Sequence, residues 1–156
     1  MNESSRDLSN KPAPKVLLVF EGAVGFCTDS KRFERMMKKE KWAPAMECWQ
    51  PNELMIRRIL YLFHKKNITF EVVTFLPDRF AAHLREWLDD LDVPIHRVWS
   101  STPDKLARAL SYMPDVLHVY DPDPSRFMRY GSKGSWLQDI NQIAAPYFKE
   151  PSNERV

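Results

Sequence analysis

Cysteine, glycine and long apolar runs are scarce in this chain, and each scarcity narrows what it can be. Its two cysteines, Cys27 and Cys48, are too few for a disulfide scaffold and are not spaced as a zinc site, so a reducing compartment is expected. The longest early apolar run, Val16-Leu17-Leu18-Val19-Phe20, is far shorter than a membrane span and follows a polar stretch rather than a basic one. A secretory signal and a membrane partner are therefore not expected, and a cytoplasmic location is. No charge sign dominates either: 23 Lys and Arg stand against 21 Asp and Glu, a net charge of +2, so bulk charge selects neither nucleic acid nor lipid.

What is present suits a single globular domain. The 156 residues are 44% hydrophobic and 12% aromatic, enough to bury one substantial core. Residues 1–14 and 149–156 are polar and Pro-rich, and read as disordered tails around a domain spanning 15–148. The four glycines fall as two pairs, Gly22 with Gly25 after the first apolar run and Gly131 with Gly134 after the last, marking two special loops.

Four short runs rich in β-branched and aromatic residues read as strands: Val16–Phe20, Ile68–Thr74, Ile95–Trp99 and Val116–Tyr120. Val16–Phe20 is apolar throughout, as a central strand covered on both faces must be. Helical periodicity lies between them, over Pro51–Lys66, Pro77–Leu91, Asp104–Met113 and from Lys31 toward Lys41. Strands alternating with helices predict an α/β three-layer sandwich on a parallel sheet, with ligands beyond the carboxyl ends of the strands.

Those ends carry chemistry. Glu21-Gly22 follows the first strand, Thr74 ends the second, Asp121-Pro122-Asp123-Pro124 follows the fourth, and Lys105 lies on the helix leading into it. A hydroxyl, an ammonium and carboxylates converging on one sheet edge suit a phosphate and its cation. Each residue also has a plainer role: Thr74 as a strand residue, Lys105 as a solvated helix residue, the Asp-Pro pairs as turn formers and Glu21 as a local hydrogen-bonding group.

In this pattern the chain resembles the haloacid dehalogenase superfamily of phosphotransferases over about Lys15 to Ile143, and the lack of a large insertion is similar to its small capless members, such as the phosphatase domains of polynucleotide kinases. The resemblance implies a sheet in the order 3-2-1-4 and allows its extension by a short strand around Gly131–Trp136. It assigns Glu21, Thr74 and Lys105 to remnant catalytic positions, and Asp121 and Asp123 to remnant metal positions. The family's Asp-x-Asp-Gly-Thr loop is not reproduced. With Glu21-Gly22 set on its second Asp and Gly, Val19 stands at the nucleophile and Ala23 replaces Thr; with Glu21 as nucleophile, Ala23 takes the acid/base position. Neither register supplies two carboxylates, and Val has no lone pair with which to attack phosphorus.

The expectation is thus a pseudoenzyme of phosphatase type, with no cofactor, that binds a protein partner or a phosphorylated ligand. The alternative is a Mg²⁺-dependent phosphatase acting on nucleotides or polynucleotide ends. A second alternative is a nucleic-acid-binding module. Lys31, Arg32, Arg35, Lys38, Lys39 and Lys41 face only Glu34 and Glu40, and Trp42 and Trp49 follow closely, so phosphate contacts with base stacking are conceivable; a solvated helix whose following Trp residues plug the core is the simpler reading. Asp78 to Asp92 is acidic by contrast, which predicts a polarised surface. His64, His83, His96 and His118 form no i, i+4 ligand pair.

Overall fold

A computed structural model of the chain describes residues 14–143. Its seven strands are β1 (Lys15–Val19), β2 (Gly25–Cys27), β3 (Trp49–Pro51), β4 (Thr69–Thr74), β5 (Arg97–Ser100), β6 (Val116–Asp121) and β7 (Gly134–Trp136). Its five α-helices are α1 (Ser30–Lys38), α2 (Trp42–Met46), α3 (Glu53–Lys66), α4 (Asp78–Asp90) and α5 (Pro103–Ala109). Five strands form one all-parallel sheet in the order β5-β4-β1-β6-β7. The chain numbers differ from 3-2-1-4 because a separate antiparallel pair, β2 with β3, intervenes between β1 and β4. Within the sheet β1 stays central, with β4 and β5 on one side and β6 and β7 on the other.

The core explains this layering. Val16, Leu17, Leu18 and Val19 of β1 are fully buried, and their alternation sends Val16 and Leu18 to one face and Leu17 and Val19 to the other. The first face packs on Met55, Ile59 and Leu62 of α3 and on Phe80, Leu84 and Leu88 of α4. The second packs on Leu106 of α5, with Leu110 and Tyr130.

The element ends follow local chemistry, which corrects several sequence-based bounds. Pro51 pairs with Gly25 in the β2–β3 ladder instead of opening a helix, and Asn52 caps α3 by accepting from the Met55 amide. Asp29 caps α1, which stops at Lys38 as Glu40 turns to φ 54°. Thr102 caps α5, with Pro103 in the first turn. The edge strand β7 is shorter than Gly131–Trp136 because Gly131, at φ 65° and ψ −143°, belongs to the preceding turn. The proposed tails 1–14 and 149–156 lie outside the described residues except for Pro14, whose carbonyl accepts from the Thr69 amide at 2.8 Å. Among the described residues, no helix is long and apolar enough to cross a membrane.

Candidate site at the strand ends

Beyond Val19 the chain makes one tight turn, Phe20–Val24, in which Gly22 takes φ 88°. That left-handed conformation favours glycine, and the space does too: a Cβ on Gly22 would sit 3.1 Å from Pro122 Cγ. The loops after β1 and β6 are therefore in contact. In the other glycine pair the reasons divide: Gly131 takes φ 65° with open space around it, whereas a Cβ on Gly134 would strike the Phe127 carbonyl at 2.1 Å.

The turn presents Glu21 to the end of β4. Its Oε2 accepts from Thr74 Oγ1 at 2.6 Å and from the Phe75 amide at 3.1 Å. The Thr74 hydroxyl in turn accepts from the Leu76 amide at 3.2 Å, so a fully buried Thr74 has its proton and a lone pair committed inside the protein. Glu21 Oε1 is buried with no hydrogen-bond partner among the described residues. Burial pushes the Glu21 carboxyl above its ordinary value, against the pull of Thr74, the nearby backbone amides and the charge of Arg126.

Asp121 is in the opposite condition. It is fully buried, yet Oδ1 accepts from the Asp123 amide (2.9 Å) and Arg126 Nη2 (3.1 Å), while Oδ2 accepts from Arg126 Nε (3.0 Å) and the Tyr130 hydroxyl (2.8 Å). A carboxylate offers about four lone-pair directions, and here four donors fill them. Burial and the bond to Asp121 push the Tyr130 phenol well up. Arg126 also lies over the Phe75 ring at 4.9 Å, which fixes the guanidinium beside the Glu21 side of the site. Asp123 closes the turn instead: its Oδ1 accepts from the Ser125 amide (2.8 Å) and hydroxyl (2.7 Å), which hold its carboxyl below the usual range.

The predicted residues are thus only partly assembled. Glu21 and Thr74 are bonded, and Asp121 pairs with Arg126, whose charge acts on Glu21 without a hydrogen bond to it. Lys105 is exposed and lines a cleft of about 280 Å³ together with Phe75, whose amide bonds Glu21, and it makes no hydrogen bond to Glu21, Thr74 or Asp121 among the described residues. Arg126 and Tyr130 were not singled out by sequence. Their signal was a buried strand-end carboxylate, which demands donors, and the nearest downstream guanidinium and phenol supply them.

A Mg²⁺ ion, which the phosphatase alternative requires, fits this donor set poorly. Asp121 has no open lone pair, and Val19 is packed among Leu17, Val73 and Leu106 with no exposure. No three His, Cys, Asp or Glu side chains among the described residues are arranged to hold a metal ion. His118 is half-buried within 3.2 Å of Ser135 Oγ, and burial lowers its pKa; His96 lies just outside β5 and is exposed.

The basic helix keeps its charge but not its aromatics. Lys31, Arg35, Lys38, Lys39 and Lys41 are exposed, whereas Arg32 pairs with Glu47 at 3.2 Å and donates to Cys48 Sγ at 3.7 Å. Trp49 is buried in ring contact with Phe20 and Phe33, and Trp42 packs on the same core. Both cysteines are free. Phe33 of α1 meets Phe80 of α4 at 5.9 Å, so the basic and acidic helices are neighbours on one face rather than opposite poles. No family model matches the chain, and no curated protein or solved structure matches it.

Proposed function

We propose that this is a haloacid-dehalogenase-like domain that has lost phosphotransferase activity and serves as a binding or scaffold protein. The observation that carries this reading is the filled coordination of Asp121: the position from which the family resemblance would have a carboxylate hold Mg²⁺ instead holds the Arg126 guanidinium. A divalent ion brought to about 4 Å from that guanidinium would meet repulsion of roughly 8 kcal/mol at an effective dielectric of 20, twice the figure for two unit charges. Val19 in the nucleophile position and the internally committed Thr74 support the same conclusion.

The nucleic-acid alternative retains exposed lysines on α1 but lacks a stacking platform there, because Trp42 and Trp49 serve the core. The test of the proposal is steady-state phosphate release from an aryl phosphate and from nucleotides in millimolar Mg²⁺. The expected rate equals that of a buffer blank. Turnover that Asp121→Asn abolishes would establish the phosphatase alternative.

A further inference from the structure

Helices α1 and α4 put opposite charge side by side on one face of the molecule. From Lys31 to Lys41 six cations stand against two carboxylates, and from Asp78 to Asp92 five carboxylates stand against two arginines. The two helices meet through Phe33 and Phe80, and Arg32 of α1 reaches Glu47, just past α2, at 3.2 Å. Pairing within the chain relieves little of this charge. Asp89 pairs with Arg85 at 3.2 Å, but Arg35, Lys38 and Asp90 are exposed without an ion pair among the described residues, and Glu86 has the His83 ring at 3.9 Å. Arg35 and Lys38 are neighbours one turn apart on α1, as Glu86 and Asp90 are on α4. Each couple is like-charged and weakens its own helix until an opposite charge is brought to it.

The surface between α2 and α4 is shaped to receive such a charge. A groove of about 350 Å³ runs there, with the buried Met46 and half-buried Trp87 at its floor and Glu47, Glu86 and Asp90 at its walls. An apolar floor under carboxylate walls suits the aliphatic stem and cationic head of a long basic side chain, with the head close to the indole ring.

A partner of one charge sign would be attracted by one helix of this face and repelled by the other. A second copy of the chain meets both. Turned about a two-fold axis that runs between α1 and α4 in the plane of contact, it lays its basic α1 on the acidic α4 and receives the other α1 on its own α4, so each attraction is made twice. We propose that the α1–α4 face is a self-complementary homodimer interface, in which Arg35 and Lys38 of each copy reach Glu86 and Asp90 of the other. The contact lies on the helical layer and does not depend on whether the strand-end site turns over.

The experiment is sedimentation velocity of the full chain from about 1 µM to about 200 µM, in about 50 mM and about 500 mM salt. The wild type is expected to show a monomer–dimer equilibrium at low salt that weakens about tenfold or more at high salt. Arg35→Glu with Lys38→Glu makes a chain acidic on both helices, and Glu86→Lys with Asp90→Lys makes one basic on both. All four positions are exposed, so both variants are expected to keep the wild-type melting temperature. Each variant alone should be monomeric, and an equimolar mixture of the two should form a heterodimer, because both charge pairings are then restored. A wild type that stays monomeric at low salt, a dimer indifferent to salt, a dimer that either variant retains, or two monomeric variants that fail to combine would overturn the proposal. In the first of these cases, polylysine binding that Glu86→Lys with Asp90→Lys abolishes would assign the groove to a basic segment of another protein.

Discussion

Glu21 and Asp121 are two strand-end carboxylates whose different supply of donors gives them different properties. Asp121 has four donors for its oxygens and a guanidinium charge in direct contact. Among the described residues Glu21 has two donors on one oxygen and none on the other. Its raised pKa has a definite sign in stability. Below the ordinary value of 4.5 the carboxyl is protonated in both folded and unfolded chains and exerts no effect. As pH rises, the unfolded chain ionises first, so the folded state loses stability until the folded carboxyl has ionised too. Glu21→Gln keeps an acceptor for Thr74 and Phe75 and removes the charge. Thermal melts of both proteins should nearly coincide at about pH 4, with the variant melting higher at about pH 8. A wild-type advantage that grows with pH would mean that the ionised Glu21 is well solvated or paired.

The element with the most unexpected part is the short antiparallel pair β2–β3. It is anchored less by its few ladder bonds than by Trp49, whose ring lies 4.8 Å from Phe20, 5.4 Å from Phe33 and 6.4 Å from Phe80. Trp49→Ala should therefore cost about 3–5 kcal/mol in urea unfolding, the range for deleting a large buried aromatic. Trp49→Phe should cost much less, because the indole N–H it removes is buried without a partner among the described residues. Equal losses would show that the hydrogen-bonding atom matters more than the packing.

How far these elements were legible depends on how local their causes are. The apolar run of β1 and the amphipathic spacing of α3 and α4 encode burial directly, so the central strand and its covering helices could be read from residue order. The β2–β3 pair could not. Gly25-Phe26-Cys27 and Trp49-Gln50-Pro51 are three-residue strands separated by two helices, and Gly and Pro weaken any strand signal. The site shows the same division. Glu21, Thr74 and Asp121 were placed by strand ends alone, whereas the role of Arg126 required the turn Asp121–Ser125 that folds its guanidinium back onto Asp121. Lys105 was the reverse case, its position legible on the helix before β6 but its side chain left exposed.

At the scale of the whole molecule, the central position of β1 gathers the strand-end groups on one edge of the sheet. Glu21, and Asp121 with Arg126, all stand at or just beyond the carboxyl ends of the central parallel strands. The cation that meets the strand-end carboxylate of Asp121 there is a side chain of the protein itself, Arg126. Calorimetric titration of the wild-type chain with Mg²⁺ measures whether the guanidinium leaves room for a divalent ion. No saturable heat is expected through the millimolar range, because Arg126 and its neighbours already fill the coordination of Asp121. Saturable submillimolar binding that disappears in Asp121→Asn would contradict it.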